Sequence, residues 1–282
     1  MSRRRSLEHH RQSLGEIRDI MNSMKTLAYM ETRKLSRFID AQQAVVQSLE
    51  AVATDLLSFH PDILPTADKA IPVFLLIGAE RGFCGDFNHS LLRHLSSSVA
   101  AQKSVTPTLI AIGHKLHTLL EGDQRVSDWI EGASVVEEIN PVLNQLLEQI
   151  LKLQQEHGTL EVYSLYHGSI DGVVMQRILP PFQDRGQNTL THSHAPILNL
   201  SAAVLLQELT EQYLFAALHA MLYTSLMMEN RHRVSHLERA VNHLDEQSQD
   251  LARQGNALRQ EEIIEEIEVI LLSASSLGPA QH

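Results

Sequence analysis

A chain of 282 residues, 43% hydrophobic but only 5% aromatic, is long enough for one large or two modest domains and suits helices packed through Leu, Ile, Val and Met. Its 34 acidic residues against 23 basic ones give a net charge of −11, which argues against nucleic-acid binding, a task that wants a basic face. No run of eighteen apolar residues offers a membrane span. The opening Met1-Ser2-Arg3-Arg4-Arg5 leads into polar residues rather than a signal core, and a single cysteine, Cys84, excludes an internal disulfide and fits a reducing compartment.

Residues 1–60 contain no proline and one glycine, Gly15. Steps of seven from Leu7 read Leu14, Met21, Ala28, Leu35, Gln42, Leu49, Leu56; positions three further on read His10, Ile17, Met24, Glu31, Phe38, Val45, Val52, Phe59. Thirteen of these sixteen positions are apolar, a sustained a/d pattern that predicts a coiled-coil helix. His10, Glu31 and Gln42 interrupt it and are candidate contacts to another chain. A helix over 6–58 would be roughly 80 Å long.

The grammar changes at residue 71. Ile71-Pro-Val-Phe-Leu-Leu-Ile-Gly78 reads as a buried strand. The Gly-rich turn Glu80-Arg-Gly-Phe-Cys-Gly-Asp-Phe-Asn88 leads into a helix marked by Leu91, Leu92 and Leu95. A strand at Thr108–Gly113, a short helix near Leu116–Leu120, and a helix from Asn140-Pro141 to about His157 follow. Strands at Leu160–Tyr166 and Gly172–Leu179 close on a turn at 168–172. The order β-α-β-α-α-β-β predicts a parallel sheet with an antiparallel edge. Pro180-Pro181, Gly186 and Asn188 then mark a loop.

A strand, a Gly-rich turn and a helix N-terminus is the context of a phosphate site. The residues do not match one, since there is neither G-x-G-x-x-G nor a Lys-Ser/Thr pair. Tight turns that let strand and helix pack closely are the simpler reading. Cys84 has no sequence-local base and reads as a packed thiol. His192-Ser193-His194 has a metal-like spacing without two further ligands and reads as a polar loop. No cofactor or metal is expected.

The last segment, 197–278, again lacks proline and has one internal glycine, Gly255. Tyr213 to Met228 is apolar nearly all round and should be buried on several sides. Met227, Val234, Leu237, Val241, Leu244, Leu251 and Leu258 follow 3–4 spacing, with Asn230, Ser248 and Gly255 at intervening positions. Near 260 the register shifts, and Ile263, Ile267, Ile270, Ala274 and Leu277 continue in a new frame. A continuous helix over 201–277 would be roughly 115 Å long.

Residues 1–60 hold nine Lys/Arg against seven Asp/Glu (+2), residues 61–200 nine against fifteen (−6), and residues 201–282 five against twelve (−7). Opposite signs favour the two ends lying together, as orientation more than as stability. Pairing must be antiparallel, because a parallel pair would need the middle to span roughly 80 Å, whereas its expected radius of gyration is about 14 Å. The fold expected is therefore α/β with long helices: an antiparallel coiled coil of N- and C-terminal helices (1–60 and 200–278) with a central Rossmann-like α/β domain (71–182). Seen from periodicity alone, a coil used only for dimerisation fits equally well.

Three stretches resemble the gamma subunit of rotary F-type ATP synthases. Ile20-Met-Asn-Ser-Met-Lys25-Thr-Leu-Ala28 is similar to the family's I-T-x-A-M-x-x-V-A. Glu80 to Asn88 is similar to S-D-R-G-L-C-G-x-x-N, with Arg81, Gly82, Cys84, Gly85 and Asn88 in place. Tyr213-Leu, Ser225-Leu with Glu229, Arg259-Gln260 and Ile263–Ile270 are similar to Y-L, S-L-x-x-E and R-Q-x-x-I-T-x-E-L-x-E-I.

The resemblance implies a non-catalytic rotor shaft. The coiled coil would stand inside a ring of alpha and beta subunits, and the α/β domain would engage the epsilon subunit and the membrane c-ring. Proton or sodium flow would thereby couple to ATP synthesis or hydrolysis at the beta sites. It implies a peripheral position on the cytoplasmic face of a bacterial plasma membrane. By resemblance, Met24 and Lys25 lie near the rotor–stator contact, and Arg259, Gln260 and Glu266 match positions that hydrogen-bond beta-subunit loops. Ile263 to Leu277 would be the tip turning in a bearing.

The sequence departs from the family's pattern where Ile264 replaces a threonine, where E-x-A-A-R-M reads Glu229-Asn-Arg-His-Arg233-Val, and where the tip carries Glu261, Glu262, Glu265, Glu266 and Glu268. Such departures fit a divergent branch with co-adapted partners, such as a second, alternative ATPase of a bacterium. Two other classes stay open on the residues alone: a coiled-coil oligomeric scaffold carrying an α/β module, and a small-molecule enzyme built on that module.

Overall fold

The computed structural model describes residues 3–64, 70–101, 107–168, 172–183 and 194–276. In chain order the elements are α1 (Arg3–Phe59), β1 (Ile71–Ile77), α2 (Phe87–Ala101), β2 (Thr108–Ile112), α3 (His114–Leu119), β3 (Val126–Ile130), α4 (Ile139–His157), β4 (Leu160–His167), β5 (Val173–Leu179) and α5 (Ala202–Ser276). They divide into two compact units, Ala28–Val234 and the paired ends Met1–Leu27 with Ser235–His282.

Within Ala28–Val234 the five strands run in the order β3-β2-β1-β4-β5. All neighbours are parallel except β4 and β5, which form the antiparallel edge. The expected parallel sheet with one antiparallel edge is therefore present. One strand was missed: β3 lies between the second and third internal helices, so the order is β-α-β-α-β-α-β-β. Its five residues, Val-Ser-Asp-Trp-Ile, bury only Ile130 fully, so hydrophobicity alone does not mark it.

Strand alternation sends β1 side chains to two cores. Phe74 and Leu76 pack with Leu91 and Leu95 of α2 and Leu116 of α3. Val73, Leu75 and Ile77 pack on the other face with α4, α1 and α5. In α4, Ile139, Val142, Leu143, Leu146, Ile150 and Leu153 are buried at helical spacing. The apolar stretch of α5 is buried on several sides as expected, from Tyr213 through Leu218 and Leu222 to Met228.

The α1 seam needs a correction in this unit. Its first column holds, with Ala28, Leu35 and Leu56 buried. The second does not: Phe38, Val45 and Val52 are 46–48% exposed. The other inward column lies one residue later, at Ile39, Val46 and Ala53. The reason is that α1 covers more than one neighbour. Gln43, Val46 and Gln47 line a cleft with Ala217 and Met221 of α5 and with Tyr166 and Gln176 of the β4–β5 edge. A helix covering a broad surface buries a wider stripe than a two-helix seam does. Gln42, a possible contact to another chain, has a partner inside the fold, whereas Glu31 has one only at Oε1 and its buried Oε2 makes no hydrogen bond among the described residues. Gln42 Oε1 lies 3.0 Å from His219 Nδ1, and His219 Nε2 lies 3.1 Å from Asn140 Oδ1. Glu31 accepts from Lys34 Nζ at 2.8 Å.

In the unit of paired ends, Arg18 meets Asp245 at 3.4 Å and Arg4 meets Glu262 at 3.6 Å. Partners move down α5 as they move up α1, so the pairing is antiparallel, as expected. The α5 spacing also holds. Leu237 and Val241 are buried, and Leu244, Ser248, Leu251, Gly255 and Leu258 are half-buried. The other seam exception, His10, is exposed.

Candidate functional site: the turn after β1

In a sheet ordered this way, the crevice at the C-terminal end of β1, beside β4, is where such folds receive ligands. The Gly-rich turn occupies that place. Glycine is required at its entrance, since a Cβ on Gly78 would lie 2.5 Å from Leu116 Cβ and 2.9 Å from Asn88 Oδ1. Within the turn, Phe83 (φ 65°) and Gly85 (φ 59°) both take the left-handed conformation, which glycine adopts freely and phenylalanine only at a cost of roughly 1–2 kcal/mol.

The turn is held by its own side chains together with Asn88 of α2 and Ser134 of the loop after β3. Asn88 Oδ1 accepts from Ala79 N at 2.9 Å. Glu80 Oε2 accepts from His114 N at 2.8 Å and Gly132 N at 2.7 Å, tying together the ends of β1, β2 and β3. Arg81 Nε donates to Ser134 Oγ at 2.9 Å.

The remaining contacts come from α5. Glu229, 3% exposed, accepts from Glu80 N through Oε2 and from Arg81 N through Oε1, both at 3.1 Å. Arg233 pairs with Glu229 one helical turn later. It also donates through Nε to Gly82 O at 3.1 Å, through Nη1 to Asn230 Oδ1 at 2.7 Å and through Nη2 to Cys84 Sγ at 3.4 Å. Ser225 Oγ donates to Ile77 O at 3.3 Å. Successive backbone amides that would cradle a phosphate in a nucleotide-binding relative of this fold here hold the chain's own carboxylate. The phosphate reading of the turn gives way to the packing one, for a specific reason: α5 fills the anion site.

The electrostatics follow from burial. Desolvation pushes the Glu229 carboxyl up, and Arg233 with the Arg81 and Glu80 amides opposes it. Burial, reinforced by Glu229, pushes the Cys84 thiol up to about 12 against the pull of Arg233. Cys84 is therefore a protonated packing residue, its Sγ 3.3 Å from Arg81 O.

A second contact between body and helix lies alongside. His167, at the end of β4, stacks on Phe87 at 3.9 Å, with the His232 ring of α5 at 5.3 Å. Its Nε2 donates to Phe87 O at 2.8 Å and lies 3.1 Å from Ser90 Oγ. Burial lowers the pKa of His167 and keeps the ring neutral.

The structure thus brings Arg81, Gly82, Cys84, Gly85 and Asn88 together in one turn. The other five candidates lie elsewhere. Met24 and Lys25 are half-buried on α1, and Arg259, Gln260 and Glu266 are exposed on α5. His192 and Ser193 lie outside the described residues, and His194 is exposed. Among the described residues no group of three or more His, Cys, Asp or Glu is placed to hold a metal. Glu80, Glu229 and Arg233 were not singled out as site residues. The available signal was a Glu and an Arg four apart at the end of an apolar helix stretch, where a buried charge must find partners.

Comparison with known proteins agrees with this architecture. A family model described as ATP synthase matches residues 3–277. The ATP synthase gamma chain of Fusobacterium nucleatum subsp. nucleatum is 22% identical over 276 residues, covering 94% of this chain and 96% of that one. That of Heliobacterium modesticaldum is 24% identical over 295 residues, covering 97% and 99%. Among solved structures, a chain of the Euglena gracilis mitochondrial ATP synthase (OSCP/F1/c-ring, rotational state 3) matches with TM-score 0.69 at 15% identity over 97% of this chain and 94% of that one. A chain of the Tetrahymena thermophila mitochondrial ATP synthase central stalk/c-ring gives 0.58 at 18% identity, over 78% and 99%. A mixed α/β body with a long helix before it and after it in the chain is the class. The chain belongs to the ATP synthase gamma family.

Proposed function

We propose that this chain is the central shaft of a rotary F-type ATP synthase, coupling proton or sodium flow to ATP synthesis or hydrolysis on its partners. The observation that carries the reading is the buried joint at Glu229 and Arg233. A shaft must pass torque from body to helix without yielding. Here the turn after β1 is bound to α5 by two backbone amides on Glu229 and by the Arg233–Gly82 bond, and the two α5 side chains that make these bonds are paired with each other. The same joint fills the crevice where chemistry on this fold would be placed, which supports a non-catalytic subunit.

The partners in this reading are the alpha and beta subunits around the helices, with Met24, Lys25, Arg259, Gln260 and Glu266 at the contact. The epsilon subunit and membrane c-ring engage the α/β body. No described helix is long and apolar enough to cross a membrane, so attachment to the cytoplasmic face of a bacterial plasma membrane would come through the complex. Ile264 and the acidic tip support a divergent assembly, such as a second, alternative ATPase.

Co-expression with the alpha and beta subunits of the same organism tests this. The expected result is a stable complex whose ATP hydrolysis depends on this chain. A self-associated species in sedimentation, with no uptake into an alpha/beta complex, would favour the scaffold reading instead.

A further inference from the structure

The cradle after β1 recognises a carboxylate group and not the residue that carries it. Glu80 N and Arg81 N, consecutive in the chain, donate one to each oxygen of Glu229 at 3.1 Å. The Arg233 guanidinium pairs with Oε1. Two amides on the two oxygens of one planar group, completed by a cation, make a recognition site for a carboxylate. Glu229 and Arg233 are buried, so an anion held there is out of water and depends on these donors for its solvation.

The donors are placed by bonds of their own. Glu80 is fastened through its side chain to His114 N and Gly132 N, and Arg81 through its side chain to Ser134 Oγ. Arg233 is fastened to Gly82 O and to Asn230 Oδ1. Asn88 Oδ1 holds Ala79 N at the entrance to the turn. None of these bonds passes through Glu229. The cradle is therefore built by the turn and by Arg233, and the carboxylate is what fills it.

We propose that the crevice after β1 is a binding site for a small monocarboxylate, and that Glu229 is its tethered occupant. Tethering gives that carboxylate a high effective concentration, so the native chain excludes free carboxylates. Shortening the side chain empties the cradle for them. Glu229→Ala deletes the γ-carbon and the carboxylate, which are the heavy atoms of acetate. Glu229→Gly deletes the β-carbon as well, and the missing atoms are those of propionate. The β-carbon kept in the first variant stands where the third carbon of propionate would lie. The cradle is complete within this chain, so its ligand chemistry is independent of the shaft reading.

The test is urea unfolding of the full chain in sodium chloride, acetate or propionate at one ionic strength, for the native chain, Glu229→Ala and Glu229→Gly. Acetate should stabilise Glu229→Ala, raising its folding equilibrium constant about tenfold at ten times the half-saturating concentration, and propionate should do so far less. Glu229→Gly should show the reverse order. The native chain should respond to neither beyond its response to chloride. Where a variant is unfolded in chloride, refolding in its matching carboxylate should restore the native circular dichroism. An equal response of the native chain and Glu229→Ala to acetate overturns the site, as does the same order of acetate and propionate in both variants. Failure of a variant unfolded in chloride to refold in either carboxylate overturns it as well.

Discussion

Where α5 meets the turn after β1 and at its tip, the same long helix holds glutamates in opposite settings. Glu229 is 3% exposed and makes bonds to two amides and an arginine. Glu261, Glu265, Glu266 and Glu268 are exposed to solvent. A charge taken out of water must be fully satisfied by its own chain, so the first region is a structural joint. A charge left in water beside exposed isoleucines costs the fold little and is available to a partner. One helix thus carries a region built for stiffness and a region built for contact.

The contrast can be broken most severely at the joint. Glu229→Ala or Arg233→Ala leaves the other charge buried without its partner, and should cost about 3–5 kcal/mol in urea unfolding of the purified chain. A loss no larger than that of a surface substitution would mean that the joint carries no mechanical load. Gly78→Ala should follow, costing about 1–3 kcal/mol because its Cβ would overlap Leu116. An unchanged melting temperature would show that α3 yields there.

A smaller effect separates the joint from the tip by pH. His167 has a folded pKa below its unfolded value of about 6.5. The unfolded chain therefore binds the proton first as pH falls. Stability from this group is complete above about 6.5 and declines below it, towards the folded pKa. Melting temperatures between pH 8 and 5 should drop more for the native chain than for His167→Gln; parallel curves would assign the acid sensitivity to other groups. The smallest effect on folding belongs to the tip. Glu265→Gln with Glu266→Gln should leave stability within about 0.5 kcal/mol while altering the coupling of ATP hydrolysis to rotation in the assembled complex. Loss of soluble protein without a coupling defect would reverse the assignment of roles.

Much of this contrast was legible in the residues. The missing prolines marked α1 and α5, and the spacing of Leu237 through Leu258 marked the inner face of α5. The motif from Glu80 to Asn88 marked the turn. Periodicity failed on α1, where Phe38, Val45 and Val52 continue a heptad that the fold leaves exposed. A seven-residue repeat states how often an apolar side chain recurs and not how many neighbours the helix will meet. It failed on β3, whose Ser127 and Asp128 hide a strand stabilised by pairing with β2. Cys84 and Gly85 are legible in the turn's own motif, whereas Glu229 and Arg233 stand in a helix motif about 150 positions away and reach the turn only after the chain has folded.

Local rules are sufficient for what depends on neighbours in sequence: helix length, strand alternation, the glycines of the turn and the acidity of the tip. These follow from backbone preference and from the 3.6- and 2-residue periods, which act over a few residues. Which face of α1 is buried, and which carboxylate fills the anion site after β1, depended on elements far apart in the chain. Both are decided by burial, because desolvation and close packing act between whatever surfaces the complete fold brings together.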